Sequence, residues 1–492
     1  MTQKYYIGLD LGSSSLKIVA TDKQLRVIYT KQYAYSYKTL DSVSREIEPT
    51  VWRQLMFGGL QELFTQLPDI DCGGIGLTGQ MHTTVFLNAQ GQSIRPAIMW
   101  NDNRTKALIP QLRQQLAKNP ATSINAQSVS PGSPLANLVW LHKFEPLHWQ
   151  QLAHVLMPVD YLVYCLTEQY VTDYCEASTT SYYDWQTNQW SLPIQQQFHL
   201  QSDWFPRILP ASTLAGALTA AVQQTLHIQK PIPVTVGTGD NAATTFINRG
   251  FSEQQPLISL GTSGVVIIPN TTATLKPIGK NVVVQITPQK RHIITQGTIQ
   301  AGAQLNSWWV ENILGTHNFT AEQDQITPTC LGQNPVLFFP HVNGEKTLFA
   351  NPNLQGGLVG LTLDVTRADL YQAILEGVAF GIKMLYEKMK NPVAPSYFTA
   401  VGGGTHSALW LTIIANVLNL PLRRLQPARQ TVQGAAALAL LATGGQWEQI
   451  PFKQQLIQPT PQLAARYQQQ YHRYQRLTTT MINYFSTKEA KT

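Results

Sequence analysis

The 492-residue chain is too long for one hydrophobic core, since single cores rarely grow past roughly 250–300 residues, so two domains are expected. Hydrophobic residues at 43% and aromatics at 9% exclude a disordered or fibrous protein, while charged residues at 13% are sparse against about 25% in typical chains. The excess of 35 Lys+Arg over 28 Asp+Glu gives a formal +7, but the positive charges are scattered. Local pairs such as Arg423-Arg424 are too short to form a nucleic-acid patch. Four cysteines, at 72, 165, 175 and 330, lie far apart without a CxxC, which excludes a zinc ribbon or disulfide scaffold and fits a reducing cytoplasm. The N-terminal MTQKYYIGLDLG lacks the apolar stretch of a signal peptide. The most apolar segment, Gly434–Gly445, falls far short of the ~20 residues that span a bilayer. A cytoplasmic protein with no membrane or nucleic-acid partner is expected.

In chain order, alternation predicts strands at Tyr5–Asp10, Leu16–Thr21 and Leu25–Thr30, with Gly12–Ser15 and Asp22–Gln24 as turns: an antiparallel meander. A helix follows over Pro49–Leu67, then a buried strand at Gly74–Thr78 and another at Thr83–Leu87. The pattern recurs in Pro256–Ile268, a strand, a small-residue turn and a strand, continued at Asn281–Ile286 and His292–Thr298. Asp369–Lys388 carries Leu370, Ile374, Val378, Ile382 and Leu385 on one helical face. A short strand at Phe398–Val401 and helices at His406–Leu418 and Thr431–Thr443 come next, the last closed by Gly444-Gly445. The polar, Tyr/Gln-rich tail from about Thr460 reads as a terminal helix with a frayed end at Ser486–Thr492.

Asp10-Leu11-Gly12-Ser13-Ser14 aligns with Ser259-Leu260-Gly261-Thr262-Ser263, which implies two similar α/β domains, 1–245 and 246–492, with the boundary near residues 245–256. Each duplicated turn is a tight hairpin whose small residues let backbone N–H groups and hydroxyls cradle phosphate oxygens. Two ordinary hairpins would use the same residues. The first copy has a carboxylate, Asp10, before its turn; one carboxylate beside a phosphate cradle suits Mg²⁺, which needs few protein ligands. Gly237-Thr238-Gly239-Asp240-Asn241 offers an acceptor and an amide among small residues, either for a substrate hydroxyl or as a helix cap. Gly402-Gly403-Gly404 gives either a surface for a flat base or a simple tight connection. No Walker A sequence occurs, because Gly279-Lys280 is followed by Asn281. The GxGxxG match at Gly74, Gly76 and Gly79 opens a strand rather than a helix, so it offers no pyrophosphate site. Trp100, Trp308 and Trp309 could stack on a ligand, though core packing is the commoner role. His341 and His406 are not expected to be catalytic.

From Tyr6 to about Thr443 the chain resembles the FGGY carbohydrate kinases. The resemblance rests on the run from Gly356 to Glu376 and on IGLDLGSSSLK (Ile7–Lys17), GLTGQMH (Gly76–His82), WNDNR (Trp100–Arg104), PVDYLVYCLT (Pro158–Thr167), GTGDNAA (Gly237–Ala243), SLGTSG (Ser259–Gly264), NGEKT (Asn343–Thr347) and GGG (Gly402–Gly404), in the family's order. It implies a duplicated actin-like, ribonuclease H-like ATPase fold around a cleft, and transfer of the ATP γ-phosphoryl to a hydroxyl of a small-molecule sugar, D-xylulose above all, with Mg²⁺. Ribulose, gluconate or glycerol-type polyols are alternatives, as is a catalytically silent sugar sensor. A homodimer is among the assemblies it allows.

By the same resemblance Asp240 is the catalytic base. Met81, His82, Asp240 and Asn241 line the sugar site, and Asp10 is the metal-associated carboxylate. Gly12, Ser13, Ser14, Gly261 and Thr262 hold phosphates, while Gly302, Gly403 and Gly404 face the nucleotide. The chain departs from the family's first signature at Asn137, where Lys is usual. Arg104 is the nearest cation in sequence to the sugar motifs, free to anchor a substrate carboxylate or to pair with Asp102.

Overall fold

The structure, a computed structural model, describes residues 4–271, 275–351, 353–426, 428–447 and 450–486. The frayed end expected after Ser486 lies outside them. The chain forms two compact units: 1–247 with 282–292 and 430–451, and 248–281 with 293–429 and 452–492. The first unit's main segment ends at Ile247, and two later segments return to it beyond the single cut that the sequence suggests.

The first unit is built on a mixed sheet in the order Leu214–Ala217, Pro233–Thr235, Asp71–Gly79, Lys4–Leu11, Ser15–Asp22, Val27–Ala34, with Thr238–Gly239 also pairing Asp71–Gly79. The first three strands in sequence form the expected antiparallel meander, and Asp71–Gly79 runs parallel to Lys4–Leu11. The third strand begins at Val27 rather than Leu25. Leu25 has φ +58°, and the Asp22 carboxylate accepts hydrogen bonds from the Gln24 and Arg26 amides at 2.8 and 3.0 Å, holding a turn there.

One face of this sheet is covered by Pro49–Gln66, whose Trp52, Met56, Leu60 and Leu63 are buried. The other face carries Thr431–Ala442, which lies against Lys4–Leu11 and Asp71–Gly79. The approach is close because the strands supply glycine. A Cβ on Gly8 would lie 2.2 Å from the Val432 carbonyl oxygen, and one on Gly76 would lie 1.9 Å from that of Ala435. This contact explains why the most apolar segment of the chain is rich in alanine. Its helix ends at Ala442, with Gly444 at φ +85° as the expected stop.

The second unit repeats the plan. Leu257–Leu260 and Gly264–Pro269 form an antiparallel hairpin, Phe398–Val401 lies parallel to Leu257–Leu260, and Leu422–Gln426 lies parallel to Phe398–Val401. Residues 294–299 flank Gly264–Pro269, and Lys453–Ile457 closes the far edge. Arg367–Met389 starts at a capping box, in which the Thr366 amide donates to Asp369 Oδ2 at 2.9 Å and the Asp369 amide to Thr366 Oγ1 at 3.3 Å. It is buried on most sides rather than on one face. The tail helix, Pro461–Ser486, is more than a polar appendage. Tyr467, Tyr471 and Tyr474 are buried in the core around Phe380, and the Tyr467 hydroxyl donates to Glu376 Oε1 at 2.8 Å. Among the described residues no helix is long and apolar enough to cross a membrane.

Candidate functional site

Strand register gathers the first unit's candidates. Asp10 pairs with Thr78 and Leu11 with Gly79; Thr78 in turn pairs with Thr238 and Gly79 with Gly239. Three parallel strands therefore end side by side. Gly12, Gln80–His82 and Asp240 leave their C-terminal ends together, the usual place for a ligand site in such a sheet. The first turn is firmly braced. The Gly12 amide donates to Ser15 O at 2.9 Å, the Gln80 amide to Leu11 O at 2.8 Å and the Tyr35 hydroxyl to Gly12 O. Trp100 Nε1 donates to Ser13 Oγ at 2.8 Å, so this tryptophan supports the loop through its polar edge. Ser14 is exposed at the tip.

Asp240 opens the helix Asp240–Ile247, and its Oδ1 accepts the Asn241 amide at 2.7 Å. It is a helix-start residue and still reaches solvent in part. Burial pushes its pKa up to about 6, against a smaller lowering by the Asn241 amide. Asp10 is pushed up to about 7, first by burial and then by the charge of Asp240, with Lys17 opposing. Lys17 is the residue directly across the hairpin from Asp10. Met81 is buried beneath Gly239, whose Cβ, if present, would lie 2.7 Å from Met81 Sδ. His82 sits half-buried at φ +70°, a left-handed conformation rare for a side-chain-bearing residue. That turn delays the strand expected from Thr83, which runs instead over Val85–Leu87.

Residues that the sequence did not single out, Asp173, Glu176 and Tyr35, help to hold this end together. Thr238 Oγ1 donates to Asp173 Oδ2 at 2.5 Å, two residues before Asp240, while Asp173 Oδ1 accepts the Glu176 amide at 2.9 Å. Burial raises Asp173 to about 7 despite these bonds. The Asp-x-x-Glu spacing at 173–176, a helix-cap pattern, was the available signal. Gln80 Nε2 donates to the Tyr35 hydroxyl at 3.2 Å, tying the QMH motif to the first turn.

Arg104 does not stand free. Its Nε and Nη2 grip both oxygens of Asp102 at 2.8–3.0 Å, its Nη1 donates to Glu46 Oε1 at 2.6 Å, and its guanidinium lies 4.9 Å from the Trp140 ring centre. Asn137 is fully buried.

In the second unit, Gly261, Thr262, Gly302, Gly403 and Gly404 also come together. The Gly302 amide donates to Thr262 O and the Ala303 amide to Gly261 O, both at 2.8 Å. A Cβ on Gly302 would lie 2.4 Å from the Gly264 nitrogen. Gly402, at φ +91°, lies against the Leu260 carbonyl, and Gly404 against the Leu260 and Trp410 side chains. Gly403 is open to solvent with no heavy atom within 4 Å of its would-be Cβ, a bare backbone surface suited to a planar group. The remaining aromatics are structural or peripheral. Trp309 is buried and donates to Glu322 at 2.9 Å, Trp308 is exposed, His341 is buried between Phe339 and Phe349, and His406 is exposed.

Both units match domains of one family of known proteins. Residues 5–247 match the N-terminal domain, and 257–443 the C-terminal domain, of the FGGY family of carbohydrate kinases. A xylulose kinase of Staphylococcus xylosus is 30% identical over 90% of this chain and 91% of its own. The crystal structure of a "xyloylose kinase" from Brucella ovis superposes with a TM-score of 0.87 at 28% identity, covering 97% of this chain and 99% of that one. A gluconate kinase from Lactobacillus acidophilus shares the fold equally well, with a TM-score of 0.87 at 20% identity over 99% of both chains. The two units are thus mixed α/β domains of the duplicated actin-like ATPase fold.

Proposed function

Because the chain belongs to the FGGY family of carbohydrate kinases, and is therefore a phosphotransferase with an alcohol group as acceptor, we propose that it transfers the γ-phosphoryl of ATP to a terminal hydroxyl of D-xylulose. In this reading Met81, His82, Asp240 and Asn241 receive the sugar. The hydroxyl oxygen bonds to the γ-phosphorus, the bond from that phosphorus to the bridging oxygen of ADP breaks, and the hydroxyl proton passes to an Asp240 oxygen. A pKa near 6 leaves Asp240 ionised at neutral pH while keeping it basic enough to take that proton. Gly12, Ser13 and Ser14 in the first unit, and Gly261 and Thr262 in the second, present small turns to phosphate oxygens. Gly302, Gly403 and Gly404 accept the nucleotide.

Asp10 fits Mg²⁺. It is an acidic group beside the first turn whose charge is disfavoured by burial and by Asp240, a strain that a cation relieves. Among the described residues no cluster of three or more metal-type ligands exists, so the ion would take most of its ligands from water and phosphate. When bound, Mg²⁺ would neutralise charge on the phosphates.

The observation that carries the sugar assignment is Arg104. Each of its three nitrogens already bonds Asp102 or Glu46, which neutralises the charge that a carboxylate clamp for an aldonate would need. Met81, His82, Asp240 and Asn241 offer no fixed positive charge, which suits an uncharged polyol. Retention of both Asp10 and Asp240 favours an active enzyme over a sugar sensor, and the four free cysteines suit a reducing compartment. ADP release measured with D-xylulose, D-ribulose, D-gluconate and glycerol tests the assignment. D-xylulose is expected to exceed gluconate by at least ~10-fold in kcat/KM, about 1.4 kcal/mol of transition-state binding. Efficient phosphorylation of gluconate with poor use of xylulose overturns it.

A further inference from the structure

Asn137 stands on the helix Pro134–Phe144 with 0% of its surface exposed. Its Nδ2 donates to Thr84 Oγ1 at 2.9 Å and, more weakly, to Gly132 O at 3.4 Å. Thr84 Oγ1 donates in turn to the His82 carbonyl at 3.2 Å. A hydroxyl has one proton. Once it is given to His82, the Thr84 oxygen can only accept, and the Asn137 amide supplies that donor. The relay therefore has a fixed direction, from the Asn137 amide through the Thr84 hydroxyl to the His82 carbonyl. Thr84 is itself anchored, because its amide and carbonyl exchange bonds of 2.9 and 3.1 Å with Ile98. The far end needs such a hold. His82 sits at φ +70°, and a side-chain-bearing residue keeps that conformation only where its surroundings impose it.

We propose that Asn137 is a positioning residue that fixes the His82 turn and so sets affinity for the sugar. The proposal rests on the sugar-kinase reading of the same site. It also gives the departure from the family's first signature a chemical sense. An amide supplies the donor that Thr84 requires without adding a positive charge behind His82, and the pocket stays suited to an uncharged polyol. Asn137 touches neither sugar nor phosphate in this scheme; it acts through Thr84.

Asn137→Ala, Thr84→Val and the double variant test the relay, with Asn137→Asp as a same-sized replacement that cannot donate when ionised. Each single variant is expected to raise the KM for D-xylulose by ~5-fold or more, with kcat and the KM for ATP nearly unchanged and the melting temperature recorded alongside. The double variant should be no worse than Thr84→Val alone, because both changes cut one chain of bonds. Where it is ionised, at alkaline pH, Asn137→Asp should do at least as much harm as Asn137→Ala, since a carboxylate draws the Thr84 proton away from His82. An unchanged sugar KM in folded Asn137→Ala, or additive effects in the double variant, overturns the proposal. His82→Ala separates the two readings. If it raises the sugar KM while the Asn137 variants do not, the relay fails and the sugar site stands. If it too leaves the sugar KM unchanged, the sugar-site reading itself has failed.

Discussion

Burial, and after it the charge of Asp240, drives the pKa of Asp10 to about 7, while burial leaves Asp240 itself near 6. Two carboxylates held this way prefer not to be ionised together, yet the proposed chemistry needs one as a base and the other as a partner for a cation. The site is thus poised around neutral pH by its own repulsion and desolvation.

A rate consequence follows from the value for Asp240. With sugar well below its KM, kcat/KM should fall as pH drops through about 6, approaching ~10-fold per unit on the acid side. Asp240→Asn should lower kcat by ~10²-fold or more and remove that limb. A pH–rate profile of both proteins measures this; near-normal turnover in the variant would contradict the role of base.

Stability should run the other way. The folded-state pKa values of Asp10 and Asp240 lie above the unfolded value of 3.8, so between that value and about 6–7 the folded state binds more protons and stability falls as pH rises. Asp10→Asn should therefore raise the melting temperature at pH 8, by ~2 °C or more, with the gain vanishing near pH 4. The same variant should impair phosphoryl transfer and raise the Mg²⁺ requirement. Scanning calorimetry at the two pH values and a Mg²⁺ titration of rate check the pair.

Asp173 braces the strand end that delivers Asp240. Asp173→Asn exchanges an acceptor for an amide at the 2.5 Å bond from Thr238. Turnover should drop by ~10-fold, and Thr238→Val should give a similar loss that does not add to it. Steady-state kinetics on the single and double variants provide the cycle.

Gly302 tests the nucleotide side. The 2.4 Å approach of its would-be Cβ to Gly264 leaves no room for a methyl group without moving the Gly261–Ser263 turn. Gly302→Ala should raise the KM for ATP by ~10-fold, about 1.4 kcal/mol, while equilibrium binding of sugar alone is retained. Calorimetric titration with each ligand separates the two effects.

His341 has neither ring nitrogen paired, lies between Phe339 and Phe349, and is held down to about 4 by burial. Unfolded, it takes a proton near 6.5, so its contribution to stability is present at neutral pH and is lost as pH falls from 6.5 toward 4. His341→Phe should flatten the decline in melting temperature across that window.

The hairpins and the Asp10 and Asp240 motifs were legible because alternation and small-residue turns are local signals, and the two copies reinforce each other. The start of the third strand was missed at Leu25 because the Asp22 turn takes two residues from it. The return of Thr431–Ala442 to the first unit was not legible, since an apolar helix carries no mark of which sheet it will cover. Glycines such as Gly8 and Gly76, whose backbones it nearly touches, hold that information. The docking of the Tyr/Gln-rich tail helix, Pro461–Ser486, through its tyrosines was not legible for a similar reason. Their burial depends on Phe380 and Glu376, some ninety residues away in sequence. Asp173 hid inside an ordinary helix-cap pattern.

That returning helix also constrains how the protein can be made. When the ribosome has released about 250 residues, all the strands of the first sheet exist but one face is bare, and the segment that seals it lies nearly 200 codons downstream. The nascent chain must hold an exposed glycine-lined sheet until the second unit has been almost fully synthesised. Strictly domain-by-domain folding behind the ribosome is closed to it, and a stop codon placed at the end of the first segment would yield an aggregation-prone product rather than half an enzyme.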